Sequence, residues 1–302
     1  MMKNAIMYYY NLTPPNIHQN EKYYWFEIEK QSFILTKCKR EISEIESIYK
    51  LSLELLYRNY SINEIILNKD NGIITVINGE NYILLKNKHK KREKISLADI
   101  LTYSDFELDF SSYNKLYRNN WNELWSLKVD YLEYQISHFG KKYPIIRESF
   151  SYFCGMAENA IVYSNGLYIN DLKISHKRIT TSMTMFDLHN PLELIIDFKV
   201  RDASEYFKAK FFSGFLSFEE IRYYLEYKLK IIEYESFFTR MFFPSFYFDV
   251  FEEIIGEKEK EKEIIKIISK IDKYEELLAK IYNYIASKTY ILKPDWLIKN
   301  MA

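Results

Sequence analysis

The chain has 302 residues, which is enough for one large domain or two smaller ones. Its 42 basic and 42 acidic residues give a formal net charge of zero. That balance argues against a nucleic-acid-binding protein, which usually carries a basic excess, and it favours self-association. The two cysteines, Cys38 and Cys154, form no CxxC pair, so the sequence predicts neither a disulfide framework nor a zinc site. No apolar run is long enough to insert into a membrane as a spanning helix.

The first part of the chain predicts a small antiparallel sheet with one helix crossing it. Five short apolar runs predict the strands: 23–28, 32–36, 64–67, 73–77 and 82–85. Between the second and third runs, apolar residues recur at helical spacing over residues 42–56. The dipeptides Asn71-Gly72 and Asn78-Gly79 separate the last three runs, and Asn-Gly is a strong signal for a two-residue hairpin turn.

A basic stretch at residues 86–92 predicts a solvated connector between two lobes, with a hinge near residues 87–91. We therefore predict a β-rich lobe over residues 1–88 and a helical lobe over residues 89–302. In the second lobe, long helices are predicted from a one-sided apolar pattern after Trp121 and from a capping box that opens at Ser217.

The stretch from residue 144 to residue 207 has the most informative order of elements. An apolar helix carries the polar pair Glu158-Asn159, which we expect to be buried, and a short strand follows. A loop containing His176 leads to a second strand that ends at Asp197. In a kinase, this order places a catalytic Asp two residues after the loop histidine, an Asn five residues later and a metal-binding Asp after the next strand.

Two of these three positions have lost the residue type that phosphoryl transfer needs. The position of the catalytic base is Arg178, a cation that cannot accept a proton, and the position of the Asn is Met183. Asp197 is the remaining candidate metal ligand, although one carboxylate alone makes a poor Mg²⁺ site. We predict no catalytic residues. We expect His176 to hold its loop in place, the alternative being a catalytic base, and Arg178 to form an ion pair with Asp197 or Glu158.

A small β-rich lobe, a short connector and a large helical lobe form the layout of the protein kinase-like fold, so we predict a bilobal α+β protein of this class. Residues 155–163 resemble a signature of the YutH/CotS family of spore-coat proteins, which are relatives of aminoglycoside and choline phosphotransferases. Further stretches resemble the same family: 175–178, 201–206, 243–248 and 294–297. The resemblance covers nearly the whole chain and is closest to YutH-like members.

The resemblance implies a spore-coat protein of an endospore-forming bacterium. It implies a protein that is made in the mother-cell cytoplasm and then deposited in the coat among other coat proteins. The degenerate loop favours a pseudokinase-like structural or scaffold component with no cofactor. The alternative is an atypical small-molecule kinase of the aminoglycoside/choline phosphotransferase type. A third reading is an interaction module unrelated to spores, because the chain contains 28 tyrosines, which suit contact surfaces as well as cores.

The alternative enzyme would use ATP and Mg²⁺. Its phosphate-binding lysine would be Lys37 or Lys39, with Glu44 or Glu46 of the following helix as a partner. Phosphates are normally cradled by backbone N–H groups in a glycine-rich loop. The first glycine of the chain is Gly72, which lies beyond that helix, so the sequence predicts no such loop.

A helix is predicted to follow the strand that ends at Asp197. It begins near Asp202, with Glu205 three residues further on. This spacing predicts an N-cap in which the Asp202 carboxylate accepts backbone N–H bonds and Glu205 reaches back. The kinase-like resemblance also implies that Asp202 anchors the histidine loop at residues 175–179. From the sequence we therefore expect Asp202→Ala to destabilise the chain more than Asp197→Ala does.

Overall fold

The chain divides into two units, and each unit collects segments that lie far apart in the sequence. The computed structural model describes residues 2–20, 23–87, 94–167, 171–257 and 259–299. The first unit contains residues 1–117, 174–177 and 182–196. The second unit contains residues 118–173, 178–181 and 197–302. The predicted boundary at residues 88–89 lies outside the described residues, as does most of the predicted hinge at residues 87–91.

The described residues form helices and strands in the following order along the chain. The helices are α1 (Met2–Tyr10), α2 (Ile42–Tyr57), α3 (Leu97–Ser104), α4 (Trp121–Phe139), α5 (Pro144–Ser164), α6 (Met185–Leu188), α7 (Arg201–Ser213), α8 (Phe218–Lys228), α9 (Tyr234–Phe242), α10 (Ser245–Ile255), α11 (Glu263–Ile268), α12 (Ile271–Ala286) and α13 (Asp295–Lys299). Short 3-10 helices occupy Ser111–Leu116, Pro191–Glu193 and Ile231–Glu233. The strands are β1 (His18–Gln19), β2 (Tyr23–Ile28), β3 (Gln31–Lys37), β4 (Glu64–Ile66), β5 (Thr75–Ile77), β6 (Glu80–Asn87), β7 (Leu172–His176) and β8 (Leu194–Phe198).

In the first unit, six strands form an antiparallel sheet with the order β1-β2-β3-β6-β4, and β5 also pairs with β6. Leu35 of β3 lies opposite Leu84 of β6. Because side chains alternate along a strand, both point to the same face of the sheet. That face packs against α1 through Ile6 and Tyr10. The sequence pattern did not predict α1, so the sheet has one more helix against it than expected.

The two Asn-Gly dipeptides of this unit have different structural roles. Asn78 and Gly79 have φ angles of 54° and 78° and join β5 to β6, which confirms the predicted hairpin turn. The hairpin predicted at Asn71-Gly72 is wrong, because β4 and β5 each pair with β6 in the described sheet. The Asn68 side chain organises that turn instead, since its Oδ1 accepts the N–H of Gly72 at 2.8 Å.

The second unit is built around α9, which is buried at eight of its nine positions. Helices α5, α7 and α12 pack against it. Strands β7 and β8 form a two-stranded sheet, most of whose residues belong to the first unit, and α7 of the second unit begins three residues after β8 ends. This short connection places Asp197, near the end of β8, one helical turn from Arg201, the first residue of α7. Within the ranges that the structure describes, no helix is both long enough and apolar enough to cross a membrane.

Candidate functional site

Asp197 is fully buried at the end of β8, and three protein groups engage its carboxylate. The indole Nε1 of Trp121 donates to Oδ1 at 2.8 Å, and the backbone N–H of Phe198 donates to the same oxygen at 2.7 Å. The Arg201 guanidinium places Nη1 2.5 Å from Oδ2. Burial raises the pKa of Asp197, and the positive charges of Arg201 and Arg240 oppose that rise. Both carboxylate oxygens are therefore bound by the protein itself.

The cation paired with Asp197 is not the one that the sequence predicted. We expected Arg178 to pair with Asp197 or Glu158, and that expectation is wrong. Arg201 holds this position because it follows Asp197 by four residues across the short β8–α7 connection. A guanidinium stays protonated at all physiological pH values. The pair therefore keeps a permanent positive charge at the oxygens to which a Mg²⁺ ion would have to bind.

Arg178 instead forms ion pairs with two acids of α10. Its Nε lies 3.0 Å from Oδ2 of Asp249, and its Nη1 lies 2.9 Å from Oε1 of Glu253. Asp249 and Glu253 are one helical turn apart, so their carboxylates reach the same cation. In a kinase the residue at the Arg178 position takes a proton from the substrate. Here that position is a cation held between two carboxylates.

Glu205 of α7 is the centre of a second buried network. Its Oε1 lies 2.7 Å from Nε of Arg240 and 2.8 Å from Nζ of Lys208. Its Oε2 accepts a hydrogen bond of 2.7 Å from Oγ of Ser245. Lys208 Nζ also donates to the carbonyl oxygens of Arg240 and Phe243, at 2.9 and 3.0 Å. Helices α7, α9 and α10 are thus joined by one set of buried charges.

The pKa shifts of this network follow from its burial and its pairing. Burial acts to raise the pKa of Glu205, but the charges of Lys208 and Arg240 outweigh it and lower that pKa to about 2. Burial lowers the pKa of Lys208 to about 8, against the attraction of Glu205. The Arg240 guanidinium also lies over the Trp121 ring, with Cζ 5.2 Å from its centroid. Trp121 therefore contacts both this network and Asp197.

The buried pair predicted at Glu158-Asn159 is not found. Glu158 is exposed on α5. Asn159 is half-buried, and its Nδ2 donates to the carbonyl oxygen of Gly155 at 2.7 Å. The physical reason is the helical period: Ala157 and Ala160 define the buried face of α5, and Glu158 lies about 100° away from Ala157 around the helix.

The capping role predicted for Asp202 is also wrong. Helix α7 begins at Arg201, and Val200 occupies the N-cap position without a side-chain hydrogen bond. Asp202 therefore lies inside the first turn, where it is buried. Glu205 does not reach back to the helix start, because Arg240 and the other members of its network hold its carboxylate.

His176 lies buried at the end of β7 in the first unit. Its Nε2 is 2.8 Å from the carbonyl oxygen of Leu188, and since a carbonyl only accepts, Nε2 carries the proton. The Tyr103 ring packs edge-on against the imidazole, with centroids 5.0 Å apart. Tyr103 also hydrogen-bonds Nδ1 of His189 at 2.7 Å. These contacts connect the end of β7 to the segment around α6.

The two lysines proposed for phosphate binding lie on the surface of the first unit. Lys37, at the end of β3, forms an ion pair of 3.3 Å with Glu80, and both side chains are about half exposed. Lys39 is exposed. The partners predicted for these lysines in α2 were Glu44 and Glu46. Lys37 pairs instead with the first residue of the neighbouring strand β6, because the two residues lie at the same end of the sheet.

Arg40 is the residue of this region that sequence reasoning missed. It is buried, and it donates from Nε to the carbonyl oxygen of Leu192 at 2.8 Å and from Nη2 to that of Leu194 at 2.7 Å. Its Nη1 lies 3.7 Å from Oε2 of Glu44. The four-residue spacing of Arg40 and Glu44 was the available signal. The surrounding run of basic residues concealed it, because nothing in that run marks one cation as buried.

These residues do not fit a Mg²⁺–ATP complex. The described residues contain no group of three or more His, Cys, Asp and Glu side chains that could hold a metal ion. The carboxylate of Asp197 is bound to Arg201 and Trp121, and the position of the catalytic base is held by Arg178. No glycine precedes Gly72, so the two hairpins before α2 lack the usual phosphate-binding residue.

Comparisons with known proteins identify a family. A family model described as "Spore coat putative kinase YutH" matches residues 3–281. The endospore coat-associated protein YutH of Bacillus subtilis (strain 168) is 25% identical over 213 residues. This match covers 59% of the present chain and spans only 61% of the length of that curated relative.

Solved structures of two phosphotransferases have a similar fold. An aminoglycoside phosphotransferase from Alicyclobacillus acidocaldarius subsp. acidocaldarius DSM 446 gives a TM-score of 0.65 at 8% identity, covering 92% of this chain and 94% of that one. The AMP-bound spectinomycin phosphotransferase APH(9)-Ia gives 0.61 at 9% identity, covering 93% and 97%. Identities this low show the fold alone. They confirm the predicted α+β protein kinase-like fold, with a small antiparallel sheet and a large helical part.

We expect Asp197→Ala to lower the free energy of unfolding by about 3–5 kcal/mol, because it removes the carboxylate that forms an ion pair with the buried Arg201 guanidinium. Urea denaturation measures the loss. This expectation reverses the order predicted from the sequence, in which Asp202→Ala was the more damaging change. The double variant Asp197→Leu/Arg201→Met removes both charges and should lose less stability than the two single variants Asp197→Leu and Arg201→Met together. Additive losses would show that the two side chains are not coupled.

Glu205 should make the protein sensitive to acid. Its pKa is lowered when folded, so its contribution to stability is complete above the unfolded pKa of about 4.5 and is lost as the pH falls toward 2. The shift corresponds to about 3 kcal/mol. Denaturation at pH 6 and pH 3 should show a smaller difference for Glu205→Gln than for the unmodified protein. The exposed Glu46→Gln is the matched control and should keep the full difference. An unchanged pH dependence in Glu205→Gln would contradict this role.

Proposed function

The chain belongs to the YutH family of spore-coat proteins, and we propose that it serves in the coat as a pseudokinase-like structural or scaffold component. The binding of the Asp197 carboxylate by the protein itself carries this proposal. A kinase uses the acid at this position to hold the metal that neutralises the phosphates. In this chain Arg201 and Trp121 take up those oxygens instead.

The loop positions support the same proposal. A catalytic base must accept a proton, and Arg178 cannot do so. Its charge is used to bind Asp249 and Glu253. Met183, at the position of the second metal ligand, is a buried apolar side chain that offers no oxygen to a metal. The region therefore serves to join loop and helix rather than to perform phosphoryl transfer.

The first unit supports the proposal independently. The turn between β2 and β3 contains Glu29 and Lys30, both with positive φ, and the strands pair up to Ile28 and Gln31 on either side of it. Such a two-residue turn leaves no free loop to surround a phosphate. Lys37, the lysine candidate that lies on β3, pairs with the surface acid Glu80.

The cellular part of the proposal rests on the family. We propose that the protein is made in the mother-cell cytoplasm and deposited in the coat, where its partners are other coat proteins. A structural component requires stable folding and contact surfaces but no turnover. The extensive buried pairing of the second unit meets the first requirement, and the exposed tyrosines of its helices supply material for the second.

We expect Mg²⁺–ATP to leave the melting temperature unchanged. A genuine site at about 100 times its dissociation constant would stabilise the fold by ~2.7 kcal/mol, which corresponds to a shift of several degrees for a chain of this size. Differential scanning fluorimetry with Mg²⁺–ATP, with Mg²⁺ alone and with no addition makes the comparison. An active aminoglycoside phosphotransferase is the positive control. A clear upward shift with Mg²⁺–ATP only would contradict the pseudokinase proposal and favour the small-molecule kinase.

A fluorescent fusion expressed from its own promoter should accumulate in the mother cell of a sporulating host and then form a shell around the spore. Fluorescence microscopy through a sporulation time course measures this. The free fluorescent protein, expressed from the same promoter, should stay in the mother-cell cytoplasm. An even distribution in vegetative cells, with none on spores, would overturn the coat assignment whatever the nucleotide measurement shows.

A further inference from the structure

Helix α8 presents an apolar face to solvent. Tyr223 and Tyr227 are 58% and 68% exposed, and their rings lie side by side with centroids 4.7 Å apart. Ile231 and Ile232, just beyond the helix, are 55% and 67% exposed. Single exposed apolar residues are ordinary on protein surfaces, but a contiguous aromatic and aliphatic group with a charged rim is typical of protein–protein contacts.

The charges along this face have an order that is complementary to itself. Along α8, the exposed charged side chains are Glu219, Arg222, Glu226 and, at its last residue, Lys228, and the exposed Lys230 follows just beyond the helix. Their signs are negative, positive and negative, followed by two positive charges. When the same face is reversed and laid against itself about a centre near position 224, Arg222 meets Glu226 of the second copy, and Glu219 meets its basic end. The acidic start of the helix then faces the basic end of the second copy, and the tyrosines lie near the middle.

We propose that α8 is a self-association surface, on which two copies of this chain pair their α8 helices antiparallel about a two-fold axis. A two-fold interface uses the same surface patch on both copies, so self-complementarity is its requirement. The face of α8 is self-complementary both in its charges and in its exposed apolar side chains. A parallel arrangement would place like charges opposite each other. The zero net charge of the chain adds no repulsion against such pairing.

The polar contacts within α8 support this arrangement. Arg222 Nη2 lies 2.6 Å from Glu219 Oε2, and its Nε lies 3.9 Å from Glu226 Oε1. Tyr284 of α12 donates to Glu226 at 2.9 Å and fixes that carboxylate at the edge of the face. The charged side chains therefore flank the tyrosines rather than cover them. Because one 11-residue helix gives a small interface, we expect a dimer that dissociates in the micromolar range.

Sedimentation velocity of the full chain over a concentration series tests the proposal. The unmodified protein should shift from monomer to dimer. Arg222→Glu and Glu226→Arg should each weaken the dimer by about tenfold or more, because each places like charges opposite each other across the two-fold axis. The double variant Arg222→Glu/Glu226→Arg restores opposite charges and should recover the dimer. Recovery of the dimer in the double variant, with equal melting temperatures in all three variants, indicates pairing between two copies rather than restoration of the Arg222–Glu226 pair within one helix.

Control variants distinguish this surface from others. Tyr227→Asp should abolish the dimer, whereas Tyr57→Asp, at a more exposed tyrosine at the end of α2, should leave it unchanged. Tyr134→Asp tests the exposed aromatic side chains of α4 as the competing surface. Melting temperatures show that each variant is folded. A protein that stays monomeric at all concentrations, a dimer that survives Tyr227→Asp, or one lost only in Tyr134→Asp would overturn the proposal.

Discussion

The buried pairing of Asp197 with Arg201 is the interaction on which the interior of the second unit depends. Removing a carboxylate and a guanidinium from water costs several kcal/mol per ion, and this cost is offset only when hydrogen bonds satisfy the remaining atoms. Trp121 and the backbone of Phe198 satisfy the second oxygen of Asp197. One helical turn further on, Glu205 meets the same requirement with two cations and a hydroxyl. Both buried acids, Asp197 and Glu205, are therefore paired with a cation and with further hydrogen-bond donors.

The same pairing changes the chemistry that the end of β8 can support. A metal ion bound there would have open positions for phosphate oxygens, because it arrives with exchangeable water. Arg201 supplies the positive charge from within the chain, and its side chain is fixed by the first turn of α7. Arg201 therefore balances the charge of Asp197 permanently. Unlike a metal ion, it has no coordination position that a phosphate oxygen could take. The chain therefore balances the charge of Asp197 with one of its own side chains.

The sequence predicted features that depend on neighbouring residues, such as turns. It predicted less well the side-chain partners that tertiary packing determines. Asn78-Gly79 predicted its hairpin correctly because both residues accept positive φ. The loss of a base at Arg178 could be read from its position alone. Its partners could not, because Asp249 and Glu253 lie on a helix far along the chain. The Asp202 cap failed for a smaller reason: the N-cap of α7 is Val200, two residues earlier than the spacing suggested, which moves the Asp202 side chain inside the first turn.

The tyrosines of this chain have two different structural roles. Buried tyrosines of the second unit direct their hydroxyls to main-chain carbonyls: Tyr274 donates to Met241 and Tyr163 to Leu292, each at 2.6 Å. Each of these rings therefore fills apolar space while its hydroxyl satisfies an acceptor that phenylalanine would leave unpaired. Tyr223 and Tyr227 have no such buried role, since their rings lie side by side in solvent. Tyrosine therefore has two roles in this chain. Buried tyrosines fill the core and bond main-chain carbonyls, whereas Tyr223 and Tyr227 present their rings to solvent.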